Sequence, residues 1–206
     1  MSPTLYHARN TRSLRVLWTL EEIGASVEVK SLPFPPRLLQ PDYLSVNATG
    51  TIPTLVDGER TVAESLAICE YLADKHRSPL VVAASEAERS PFLQWLWYGE
   101  STLMAPLSVT ARVRRMPKAA GTESGIEAVL ADARSSLIGR LVALEERLGG
   151  RDFVAAGRLT LADISIGYPL HLMDVFGLDA LLTPRVSAYR ERLRARPAFV
   201  RAAAVQ

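Results

Sequence analysis

One cysteine, three histidines and no long apolar run are found among 206 residues, and each scarcity removes a class of function. Cys69 alone cannot close an internal disulfide, which suits a reducing compartment and argues against a disulfide-stapled scaffold. His7, His76 and His171 stand far apart, with no Cys, Asp or Glu at metal-ligand spacing, so no metal is expected. No stretch approaches the roughly 18 to 20 apolar residues of a membrane span, and the first residues lack the charged start and apolar core of a secretory signal. A cytoplasmic protein with no membrane partner is the expectation. Excess charge is scarce as well: 24 basic against 22 acidic residues offer no strong field to attract nucleic acid. Arg190, Arg192, Arg194, Arg196 and Arg201 gather late in the chain without an aromatic platform between them, so they are read as the solvated face of a terminal helix.

What the chain does have is apolar content, 48% of it, enough to fill real cores over one large or two small domains. The first part alternates strand and helix signals. A short apolar stretch from Pro3 to His7 precedes a helical pattern from Ser13 to Ile23, with a serine placed to cap it and Gly24 as its stop. Val27 to Lys30 alternates as a half-buried strand, and the proline-rich stretch Ser31 to Gln40 reads as a loop. Thr54 to Val56 and Arg60 to Ala63 flank Asp57-Gly58, a hairpin signal, and Glu64 to His76 turns helical with Cys69 on its packing face. A crossover helix implies a parallel strand pair and the hairpin an antiparallel one, so a mixed four-stranded sheet is predicted.

Residues 78–86 read as a linker between a domain at 1–77 and an all-helical one at 87–206. Pro91, Pro106 and Pro117 segment a bent early helix. Ile126, Leu130, Ala133, Leu137, Leu141, Leu144 and Leu148 keep helical spacing until Gly149-Gly150. Thr160 and Asp163 form a capping box, with Leu159 and Ile164 at the staple positions; this reads as folding chemistry, not catalysis.

Thr51-Ile52-Pro53-Thr54-Leu55-Val56-Asp57-Gly58, followed by Val62-Ala63-Glu64-Ser65-Leu66-Ala67-Ile68, resembles the glutathione site of the cytosolic glutathione transferases. The two-domain layout, the capping box and the segment Tyr189 to Phe199 extend the resemblance along nearly the whole chain. It implies a thioredoxin-like glutathione-binding domain followed by a helical bundle that holds the electrophile, a homodimer, and glutathione as co-substrate with no other cofactor. It also implies a cis Ile52-Pro53 bond. Such a bond would leave residue 52 as a strand edge able to pair with the peptide backbone of glutathione. Ser65 and the free N–H groups of the helix start would take the γ-glutamyl carboxylate, and Glu64 its ammonium group.

The thiol-activating position of the family falls on Asn10, where relatives carry serine or cysteine; Tyr6 falls near the tyrosine position of other branches, and Thr11 offers a hydroxyl. They rank Asn10, Tyr6, Thr11, since an amide can donate to a thiolate. Gly50 and Thr51 stand where relatives often carry a basic residue for the glycyl carboxylate, leaving Arg37 and Gln40 as candidates. Trp97, Met104, Leu107 and Tyr168 are candidates for the apolar electrophile pocket, although core packing is the commoner use of such residues. The implied reaction is conjugation of glutathione to a small hydrophobic electrophile. The alternatives are peroxide reduction, isomerisation or disulfide reduction at the same site, or a non-catalytic interaction module.

Overall fold

The computed structural model describes residues 2–116 and 123–205, so Pro117 lies outside the described residues. In chain order the elements are β1 Thr4–His7, α1 Ser13–Ile23, β2 Glu28–Ser31, α2 Pro36–Leu39, β3 Thr54–Asp57, β4 Arg60–Ala63 and α3 Ser65–Lys75. They continue with α4 Arg89–Trp97, α5 Met104–Arg115, α6 Glu123–Leu148, α7 Leu161–Val175, α8 Pro184–Arg194 and α9 Pro197–Ala204. The chain divides into two compact units, Met1–Ala83 together with Arg194–Gln206, and Ala84–Leu193. The closing segment, grouped with the helical half by its sequence pattern, thus belongs to the first unit.

The first unit is thioredoxin-like: a four-stranded sheet in the order β2-β1-β3-β4, parallel between β1 and β2 and antiparallel elsewhere. α1 buries Leu14, Val16, Leu17, Trp18 and Leu20, and Gly24 stops it in the left-handed conformation with its N–H on the Leu20 carbonyl. The hairpin turns through Gly58 at φ +63°, a value glycine adopts without strain, and Asp57 pairs with Arg60 across it. The proline-rich stretch is not all loop. Pro36 opens the single turn α2, where its missing N–H is not needed, and a 3-10 turn at Pro41–Ser45 follows.

α9 closes the core of this unit. Phe199 meets Trp18 edge-to-face with ring centroids 5.0 Å apart. Arg196 grips Glu22 with two hydrogen bonds, at 2.6 and 2.8 Å, and Arg201 reaches Glu21. Two of the late arginines are therefore ties to α1 rather than a purely solvated face, and Pro197 splits the expected terminal helix into α8 and α9.

In the second unit α4 runs through a π-helical stretch, Tyr98–Leu103, into α5. Pro106 is the third residue of α5, close behind that stretch, where the hydrogen-bond register is still shifting, and it does not end the helix. Gly99 permits the close approach of α7, since a Cβ there would stand 2.3 Å from Ser165 Oγ. α6 packs Ala133, Leu137, Leu141, Leu144 and Leu148 inward. The capping box is present: Thr160 N donates to Asp163 Oδ2 at 2.8 Å, while Oδ1 takes Val154 N and the Tyr189 hydroxyl. Among the described residues no helix is long and apolar enough to cross a membrane.

Phe199→Ala should destabilise the protein by about 3 kcal/mol or more through the cavity it leaves against Trp18, whereas exposed Val200→Ala should be close to neutral. Urea unfolding checks this; equal, negligible effects would detach α9 from the first core.

Candidate functional site

Three loops meet at one end of the sheet because the strand registers bring them there. Tyr6 pairs with Thr54, and Thr54 with Ala63. Continuing the second register sets Pro53 opposite Glu64 and Ile52 opposite Ser65, and the turn after β1, carrying Asn10, leaves from the same end.

The Ile52-Pro53 bond is cis. Neither the N–H nor the C=O of Ile52 makes a hydrogen bond among the described residues, so this backbone edge is unspent. It is held from behind. Asn47 Nδ2 donates to the Thr51 carbonyl at 3.2 Å and to Thr54 Oγ1 at 2.9 Å, and the Tyr43 hydroxyl lies 2.7 and 2.6 Å from the same two oxygens. Burial pushes the Tyr43 phenol above its ordinary value, which keeps it a neutral donor.

Glu64 is exposed at φ +70° and Asn10 at φ +56°. Two non-glycine residues in the left-handed region at one end of a sheet are locally unfavourable and mark a site rather than routine turns. Ser65 follows Glu64 as the first residue of α3, buried, and receives Arg15 Nη1 on its oxygen at 3.3 Å.

The activator candidates separate. The Thr11 hydroxyl donates to the Ala8 carbonyl at 2.7 Å, so its proton is committed to the turn itself. Tyr6 stacks at a tilt on Tyr43, with centroids 5.2 Å apart, as a packing aromatic. Asn10 is exposed. Ser13 does not cap α1; it starts the helix, and its Oγ sits 2.8 Å from His7 Nδ1 and 2.7 Å from Thr11 Oγ1. This buried relay braces the turn that carries Asn10.

Arg37 stands beside position 50, its Cβ only 2.9 Å from where a Gly50 side chain would begin, and its guanidinium makes no ion pair among the described residues. Gln40 is exposed at the end of α2. In the second unit Met104, Leu107 and Tyr168 are core residues, while Trp97 is 51% exposed. A groove of about 560 Å³ between α5 and α6 is lined by residues including Pro106, Val109, Val129 and Arg140. Burial pushes the Cys69 thiol up to about 12, which makes it inert. Among the described residues no group of His, Cys, Asp or Glu could hold a metal.

Tyr43, Asn47, Arg15 and His7 were not legible as site residues. Asn47 precedes Ala-Thr-Gly, a plain turn signal, and Arg15 interrupts an apolar helix face; that buried cation was the one available clue.

Comparison with known proteins places these observations in a context. The family pattern "Glutathione S-transferase, N-terminal domain" matches residues 1–74, and "Glutathione S-transferase, C-terminal domain" matches 127–195. Glutathione S-transferase F10 of Arabidopsis thaliana is 29% identical over 95% of this chain and 94% of its own. Glutathione S-transferase 3 of Zea mays is 30% identical over 90% and 86%. A crystal structure of a glutathione transferase family member from Pseudomonas fluorescens, with two glutathione molecules bound, superposes with TM-score 0.81 at 27% identity, covering 100% of this chain and 93% of that one.

Burial lowers the His7 pKa, opposed in part by the nearby Val205 backbone. The folded protein therefore disfavours the charged imidazole, and its stability is full above the unfolded value of about 6.5 and falls as pH drops below it. Thermal unfolding midpoints should be flat from pH 8 to 7 and decline between about 6.5 and 5, and His7→Gln should flatten that decline. Parallel curves for the two proteins would remove His7 as the cause.

Proposed function

The chain belongs to the glutathione S-transferase family and is a glutathione transferase, and on that premise we propose that its first unit presents the glutathione thiolate to a small hydrophobic electrophile. The observation that carries this is the unspent backbone of Ile52 set by register opposite Ser65. A peptide needs an open edge for its backbone and an anion seat for its terminal carboxylate, and both leave the same end of the β3–β4 pair.

In this reading the cysteinyl segment pairs with Ile52 beside Pro53. The γ-glutamyl carboxylate accepts from Ser65 and the first N–H groups of α3, and Glu64 takes the ammonium group. Arg37 takes the glycyl carboxylate, with Gln40 as a neutral neighbour. Asn10 donates its amide to the sulfur at the entrance to α1, where the helix dipole also favours a thiolate. The sulfur lone pair then forms a bond to the electrophilic carbon, and the leaving group departs with its electrons. Trp97 is the candidate whose exposure suits an apolar substrate. No further cofactor is needed, because glutathione supplies the nucleophile.

An amide where relatives carry a hydroxyl or thiol favours a second reading on the same site, glutathione-dependent peroxide or disulfide reduction. An activity panel with an aryl halide, an organic peroxide and a small disulfide separates the two. Calorimetric titration with glutathione tests the shared premise: a folded protein that binds none would leave a non-catalytic interaction module.

The protein should also be a homodimer. Ile138 and Val142, one turn apart on α6, leave exposed apolar side chains that a second copy would cover. Sedimentation should give twice 22.6 kDa at micromolar concentration, and a monomer would refute it.

Asn10→Ala should raise the thiol pKa of bound glutathione by roughly one to two units, the worth of one hydrogen bond to a charged sulfur. Tyr6→Phe should scarcely move it. Thiolate absorbance against pH reads both, and a larger shift from Tyr6→Phe would transfer the role to the phenol.

A further inference from the structure

Arg15 is the third residue of α1 and has no exposed surface. Arginine is almost never fully buried without specific polar partners, and an apolar residue would pack in a helix interior at lower desolvation cost. Its Nη1 donates to Ser65 Oγ at 3.3 Å. A guanidinium carries donors only, so the serine oxygen is the acceptor and the serine's own hydrogen is left for some other acceptor. Among the described residues nothing takes it. Ser65 is 3% exposed and begins α3, where the first backbone N–H groups also lack partners and the helix dipole presents its positive end. The field of Arg15 is felt one turn further along: it draws the Cys69 thiol down against the larger opposing push of burial.

We infer that Arg15 is a positioning residue for carboxylate recognition, turning the Ser65 hydroxyl toward the ligand and placing a buried positive charge behind the start of α3. The inference rests on Ser65 as the seat of the γ-glutamyl carboxylate. A hydroxyl and a helix start by themselves favour a carboxylate over a neutral amide only modestly in a hydrated site. A cation shielded from water discriminates between them, since its interaction with a full charge is weakened little by solvent. Arg15 thus converts a hydrogen-bonding position into a charge-selective one without touching the ligand.

The test compares glutathione with its analogue in which the γ-glutamyl α-carboxylate is a carboxamide, titrated calorimetrically into the full-length protein. Wild type should prefer the carboxylate by about thirtyfold or more. Arg15→Gln should reduce that preference to about threefold while changing affinity for the carboxamide by less than about threefold. Arg15→Lys retains charge and donors and should keep about tenfold. Equal weakening of both ligands by Arg15→Gln would mean a merely structural role and overturn the inference, as would loss of preference in a folded Arg15→Lys. Ser65→Ala leaves the guanidinium in place and decides the matter if the Arg15 variants do not fold: a residual preference of about threefold supports the buried charge, and parity overturns it. Wild type that binds neither ligand defeats the glutathione reading itself. Wild type that binds both equally well defeats only the charge-selective seat.

Discussion

Thr54 is the position through which the working end of the first unit is tied together. It is fully buried, pairs with Tyr6 on one side and Ala63 on the other, and offers its hydroxyl to Tyr43 and Asn47. A strand's side chains alternate between faces, so a one-residue slip in either pairing would invert that pattern and part Ile52 from Ser65. The buried hydroxyl makes such a slip expensive, because it would leave Asn47 and Tyr43 without partners in a dry interior. One polar side chain thereby sets the spacing of the loops on which recognition depends.

The same economy recurs around the turn after β1. His7, Ser13 and Thr11 form a short buried chain ending on the Ala8 carbonyl. Such a network costs desolvation and returns rigidity, holding Asn10 in a backbone conformation that an unsupported asparagine would visit only in part. Arg15 and Ser65 make a second network under the start of α3. Polar groups buried in the first unit therefore cluster beneath its site, where directional bonds can fix geometry that apolar packing alone would leave loose.

The helical unit is arranged differently. Its core mixes aliphatic side chains with Phe92, Trp95 and Tyr168, and its principal buried polar centre, Asp163, binds Thr160, Val154 and Tyr189. This joins the start of α7 to α8 and to the loop before α7. Its role is to lock helices, with each Asp163 oxygen accepting two hydrogen bonds from within the cluster. Close packing at Gly99 against Ser165 adds a steric lock of the same kind.

Periodicity, caps and turn residues determined the order of strands and helices, the mixed sheet, the hairpin at Gly58 and the box at Thr160, because each is specified by neighbours a few residues apart. The motif around Ile52-Pro53 and Glu64-Ser65 was likewise legible, being contiguous in the chain. Only the tertiary structure decided that α9 completes the first core, that Arg196 and Arg201 bind Glu22 and Glu21, and that Thr11 spends its proton on Ala8. It alone joined Arg15 to Ser65 across fifty positions of sequence. Such pairings are invisible in the linear pattern because a buried polar residue is stabilised by whatever partner folding brings to it, and its sequence neighbours carry no record of that partner.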